Sequence, residues 1–255
     1  MTIKFYLPNL FHITFKQISI MKKSKEKVSK SYLLFEKLLR EGNVKVEEVY
    51  SAGEELLPEL KSSIVKGNFL NKGFIQHPLV IGELGFMPNS YYNKQFIRKK
   101  ERLMEFENNN EFESYLTLIE KPFRVFYFNE LVKQNRIKKF SKKYWRILSS
   151  LWTGSENIFQ NKELWDELLR DKTNSHYFMD KNDLEYYNSL PNEFMVYRGY
   201  VHWENGYSYS LDRERAVWFA ERFGQNGLVI ERLVKKEDVF AYINSRKENE
   251  IIILK

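Results

Sequence analysis

The chain contains no cysteine. That excludes disulfides, thiolate metal sites and a cysteine nucleophile, and it suits a reducing compartment. Proline (6) and glycine (11) are scarce in 255 residues, and no Gly-rich phosphate loop is present. Gly224-Gln225-Asn226-Gly227 reads as a turn between a helix and a strand. Nowhere do apolar residues run on for the roughly 18 positions a membrane-spanning helix needs. Residues 1–20 are broken by Lys4, Pro8, Asn9, His12, Lys16 and Gln17, so a signal-peptide core is not expected there. The four histidines (His12, His77, His176, His202) show no metal-ligand spacing, and no metal is expected. Together these absences point to a cytoplasmic protein without membrane contact.

Aromatic residues are abundant, with 20 Phe, 16 Tyr and 5 Trp. A chain this long and this aromatic buries a sizeable core rather than staying disordered. The net charge of +7 is unevenly spread. Residues 121–150 carry nine basic side chains against one acid, whereas 151–255 are net negative. The basic stretch is either a surface that steers a polyanion such as RNA or DNA, or a solvated helix face.

The fold class expected is α+β: a mainly helical first part, then a strand-rich end. Short strands are expected within 3–20 and over Asn43–Tyr50, and helices over Met21–Arg40, Glu54–Val65 and Gln95–Glu107. Residues 66–92 read as an irregular connection with apolar islands. Asn108-Asn109-Asn110 is a break. Phe112–Gln134 is helical, restarting at Pro122. Ser141 caps a helix that runs to Trp152 and closes at Gly154. Further helices are expected over Asn161–Leu169 and Lys181–Leu190. The domain division expected is an α/β accessory region over 1–120 and a second domain over 121–255, with helices in 121–190 and a strand-rich core in 193–255.

Within that core three pieces stand out. Val196-Tyr197 are strand formers running into Arg198-Gly199. Ser208 and Ser210 share one face of a period-two segment, with Tyr207, Tyr209 and Leu211 on the other. Glu248 and Glu250 precede the apolar run Ile251–Leu254. An acid entering a buried strand is costly unless something pairs with it. Singly, each piece has a plainer reading: a strand-end arginine, sheet-face hydroxyls, a solvated turn. The order of all three carries the argument.

Arg, then Ser-x-Ser, then Glu-x-Glu, in that order on three strands, resembles the arginine/serine/glutamate class of mono-ADP-ribosyltransferases, which includes clostridial binary toxins and modifying enzymes of tailed phages. Tyr209 stands where the binary toxins usually have threonine. The resemblance implies a pair of small mixed or antiparallel sheets that form a cleft for NAD as substrate, with the preceding helices as one side of it. Arg198 would hold the phosphates, Gly199 would meet the nicotinamide carboxamide through its backbone, and Ser208, Tyr209 and Ser210 would line the dinucleotide. Ser208 would also orient Glu250, and Glu250 would stabilise the positive charge that develops on the ribose. Glu248 would bind and deprotonate the acceptor, and Tyr242 would sit on the acceptor-recognition loop. Tyr200 and Trp203 are further aromatics near the site. The acceptor implied is protein arginine, which Glu-x-Glu favours, or RNA or DNA, which the basic stretch leaves open. The setting implied is a phage effector or a toxin of a bacterial defence or toxin–antitoxin system, with an antitoxin or inhibitor protein as a further partner. The alternative is a catalytically inactive module of the same shape that binds nucleic acid or protein.

Overall fold

The computed structural model describes residues 54–66, 73–85, 87–156, 158–202, 204–222, 224 and 226–254. The strands expected within 3–50 and the helix over Met21–Arg40 lie outside the described residues, as does Trp203. The molecule is α+β, and its two described sheets are both antiparallel. The chain divides into two compact units after Asn109, inside the asparagine break and not at 120/121.

In the first unit, α1 (Pro58–Ser62) is a single turn begun by Pro58. Ile64–Lys66 then turns extended as β1, so the helix expected to reach Val65 stops short. β2 (Gly73–His77) and β3 (Val80–Glu83) form a hairpin, with β1 pairing on β2. This hairpin falls where the sequence reads as irregular; its apolar island at Leu79-Val80-Ile81 is the turn and start of β3. α2 (Asn89–Asn108) follows directly after Pro88, whose fixed φ suits the residue before a helix.

The second unit opens with α3 (Phe112–Leu118) and α4 (Arg124–Lys133), separated by a 3-10 turn at Pro122. A proline lacks the N–H that a continuous helix would need there. α3 packs on α4, which is why it belongs to this unit and not to the accessory region. α5 (Lys142–Gly154) starts at Ser141, whose hydroxyl accepts from the Tyr144 N–H at 3.1 Å. α6 (Lys162–Leu169) and α7 (Lys181–Ser189) complete the helical array.

The strands are β4 (Glu193–Tyr200), β5 (Ser208–Ser210), β6 (Leu228–Lys235), β7 (Val239–Ile243) and β8 (Glu250–Ile253), with α8 (Arg213–Glu221) after β5. They form one five-stranded sheet, in the order β6-β4-β5-β8-β7, where a pair of sheets was expected. The sheet is nearly divided, however. β4 pairs with β6 over eight positions but with β5 only at Tyr197–Ser210. Pairing with β5 does not continue to Arg198, Gly199 or Tyr200.

An aromatic core joins the helices to the sheet. Trp152 meets Trp165 edge-on at 5.2 Å and lies 6.4 Å from Tyr207. Trp145 and Phe178 both pack on Phe240 of β7. Edge-to-face pairs of this kind add about 0.5–1.5 kcal/mol each beyond their buried area. They fix α5 across the ends of β5 and β8, where the site lies.

Candidate functional site

β8 begins on a buried acid. Glu250 is 4% exposed and stands opposite Ser210 in the β5–β8 register. Its carboxylate has three donors. Ser208 Oγ donates to Oε1 at 2.6 Å, and the Trp152 indole N–H donates to the same oxygen at 3.1 Å. Arg246 Nη2 donates to Oε2 at 3.4 Å. The charge that the sequence leaves stranded at a strand entrance is therefore paired and hydrogen-bonded, as burial requires.

Arg198 reaches the same place from β4. Its Nη1 donates to the Ser208 carbonyl at 2.8 Å and its Nε to the Glu204 carbonyl at 3.2 Å. Gly206 lies against the guanidinium; a Cβ there would stand 2.2 Å from Cζ. Burial holds this guanidinium below the usual arginine range, while Tyr209 and Glu250 favour its charge. Arg198 thus meets the backbone of the residue whose side chain holds Glu250, at the point where β4 parts from β5.

Glu248 lies on the short connection between β7 and β8, residues 244–249. That connection is tightly held. Ser210 Oγ donates to the Glu248 carbonyl at 2.7 Å, and the Leu211 N–H donates to the Asn249 carbonyl at 3.0 Å. Lys247 and Asn249 both adopt positive φ, 57° and 46°. Asparagine tolerates that region; for lysine it is uncommon, and such conformations persist only where neighbours impose them. At the start of the loop, the Asn244 N–H donates to Asp183 Oδ1 at 3.1 Å.

Several candidate residues are engaged in holding this frame together. Ser210 is buried, and its hydroxyl is engaged by the Glu248 carbonyl and the Asp212 N–H. Tyr209 is buried on the opposite side of β5 from the two serines. Tyr242 is not on a loop. It is interior to β7, stacked 4.4 Å from Tyr186, with its hydroxyl donating to Asn249 Oδ1 at 2.8 Å. Burial pushes its hydroxyl up to about 12, with Tyr186 and Asp183 adding to the effect. Tyr242 therefore holds the residue between the two acids. The absent side chain of Gly199 also has a packing reason. A Cβ there would stand 1.9 Å from the Ala216 carbonyl oxygen of α8. Tyr200 ends β4 opposite Leu228.

No protein-family model, curated protein or solved structure matches this chain.

Three contributors were not found by sequence reasoning. Trp152 sits on α5 at the end of an amphipathic helix, and nothing in its spacing marks its N–H as a ligand of a residue 98 positions away. Tyr207 donates to Asp166, which also pairs with Lys162, so α6 anchors the start of β5. Arg246 is the third. Its Nη2 lies 3.1 Å from Glu248 Oε2 as well as 3.4 Å from Glu250 Oε2, and its Nη1 donates to the Thr153 carbonyl at 3.1 Å. Its place two positions before Glu248 and four before Glu250 was the available signal. Among the described residues, no group of three or more His, Asp and Glu side chains is placed to hold a metal ion, and no helix is long and apolar enough to cross a membrane.

Asp183 gives a test of how the loop is held. Burial raises its carboxyl above the ordinary value, Asp180 adds to this, and the Asn244 N–H opposes it. A folded-state value above the unfolded one means that ionisation costs stability. The cost is fully present above the folded value, and it vanishes below the unfolded value near pH 4. Asp183→Asn keeps an oxygen to accept from Asn244 and removes the charge. It should raise the melting temperature at neutral pH, and the gain should disappear as pH falls to about 4. A melting-temperature series across pH checks this; a gain that persists at acid pH contradicts the account.

Proposed function

We propose that the 110–255 unit is a mono-ADP-ribosyltransferase that uses NAD and modifies a macromolecular acceptor. The observation that supports this best is the convergence of Arg198, Ser208 and Glu250 where β4 leaves β5. NAD cleavage breaks the bond between the ribose anomeric carbon and nicotinamide, whose ring nitrogen takes the electron pair. Positive charge builds on the sugar, and an acceptor atom then bonds to that carbon and gives up a proton. A fixed, largely dehydrated carboxylate suits the first demand, because preorganised charge stabilises most where water is excluded. Glu250 is such a group. Arg198 supplies a guanidinium suited to phosphate oxygens. Glu248, less buried and on a loop, suits the proton-accepting role.

The second reading is a site of this shape that binds without turning over. The observation that favours it is Arg246, which spans both carboxylates. Incubation with NAD labelled in the adenylate half, with nicotinamide release measured in parallel, separates the two. Release of nicotinamide supports the transferase; its absence under all acceptor conditions supports the binding module. Glu248→Gln should lower acceptor labelling at least tenfold more than it lowers NAD hydrolysis. Equal loss of both would undo the role given to Glu248.

A further inference from the structure

α8 and its C-terminal cap carry a row of side chains spaced three and four residues apart: Arg215 and Phe219, half-buried, and Trp218 and Arg222, exposed. Trp218 is 50% exposed, unusual for the most costly side chain to leave in water. Its ring is flanked by two cations, Arg215 Cζ at 5.2 Å and Arg222 Cζ at 5.9 Å from the centroid. The row borders the loop that bears Glu248. Arg215 Nη2 approaches the Lys247 carbonyl at 3.4 Å, and Arg222 lies within electrostatic reach of Glu248 and Arg246.

We propose, building on the transferase reading above, that the acceptor is single-stranded nucleic acid, received on this row with an unpaired base stacked on Trp218 and phosphates beside Arg215 and Arg222. Three observations carry it. First, Trp218 is half exposed and the guanidiniums over its ring sit on flexible side chains, so a base that displaces one gains the ring face while the displaced cation meets the adjoining phosphate, the pairing that recurs in single-strand recognition. A duplex, with its bases stacked on one another, has no free face to offer. Second, Glu248 and Glu250 already hold the chain's own guanidinium, that of Arg246. An incoming arginine side chain would meet a like charge and would have to displace it. A neutral base amino group or a ribose hydroxyl meets no such repulsion. Third, the same unit carries Lys133, Arg136, Lys138, Lys139, Lys142 and Lys143 around the N-terminal end of α5. Lys142 is ten positions before Trp152, the partner of Glu250, or about 15 Å along the helix axis. Lys142 and Lys143 therefore lie on the helix that also bears the partner of Glu250.

The test uses the full chain with a short fluorescent oligonucleotide of mixed sequence, single-stranded or annealed to its complement, and with an arginine-rich protein as the competing acceptor. Binding is read by anisotropy, and transfer is read from NAD labelled in the adenylate half. The single strand should bind tighter than the duplex, with affinity falling as salt rises. Trp218→Ala should weaken that binding about tenfold, and should lower the ratio of oligonucleotide labelling to NAD hydrolysis by a similar factor. Arg215→Gln and Arg222→Gln should each flatten the salt dependence. Label appearing on the protein acceptor alone, or single-strand binding that is the same in Trp218→Ala, overturns the inference. Nicotinamide release without oligonucleotide binding also overturns it while leaving the transferase standing. Oligonucleotide binding that depends on Trp218 but comes without any nicotinamide release overturns the transferase instead, and leaves α8 as a nucleic-acid-binding face.

Discussion

Glu250→Gln should reduce nicotinamide release and acceptor labelling together, by roughly 10²–10³-fold, the scale seen when one preorganised electrostatic group is removed from an active site. The substitution is nearly isosteric. The remaining amide oxygen can still accept from Ser208 and from Trp152, so the β5–β8 register and the aromatic core keep their contacts. What changes is the charge, and with it the partner of Arg246. The new amide NH₂ faces a guanidinium, donor against donor, but Arg246 keeps Glu248 at 3.1 Å. The stability cost should therefore stay near 1–2 kcal/mol. Circular dichroism and a melting curve report the fold, and steady-state NAD hydrolysis reports the chemistry. A folded variant within tenfold of the wild-type rate would remove Glu250 from the reaction.

Gly199→Ala should have the largest effect on stability. The added methyl would stand 1.9 Å from the Ala216 carbonyl oxygen and 2.7 Å from the Ala220 nitrogen, both backbone atoms of α8. Backbone cannot swing aside as a side chain tip can, so the helix must lift from β4. Overpacking of this kind costs about 3 kcal/mol, or roughly 6–12 °C in melting temperature for a domain of this size. Gly224→Ala is the control with a different cause. Nothing lies within 4 Å of its Cβ position, but its φ is +65°. Only the backbone penalty of about 1–2 kcal/mol applies there. Equal melting temperatures for the two variants would mean that α8 is not seated on Gly199 as described. Because α8 also carries Arg215 and Trp218, Gly199→Ala should disturb the Glu248 loop as well. Activity should then fall by more than the unfolded fraction accounts for.

The helices from 112 to 189 were largely legible because each carries its own boundary. Ser141 caps α5, Pro122 interrupts the run between α3 and α4, and Trp165, Leu168 and Leu169 mark the buried stripe of α6. The β2–β3 hairpin was not legible. Its turn, Pro78-Leu79, lacks the Asn-Gly or Asp-Gly signal of a tight hairpin, and short apolar runs say little about their own conformation. The long β4–β6 ladder was equally silent, since register between strands not adjacent in the chain leaves no mark on either one.

At the site the division is similar. A guanidinium, two hydroxyls and two carboxylates, at strand ends and in a given order, are present in the residues themselves, and so is the need of Glu250 for a partner. Which donors meet that need was decided by the fold. Trp152 and Arg246 arrive from a helix and a loop that sequence spacing does not connect to β8. The opening between β4 and β5, the inward turn of Ser210 and Tyr242, and the seating of α8 on Gly199 are likewise tertiary facts. The physical reason is one of range. Caps, breaks and periodicity act over a few residues along the chain, whereas hydrogen bonds and steric exclusion act over a few ångströms in space, and only folding turns one kind of nearness into the other.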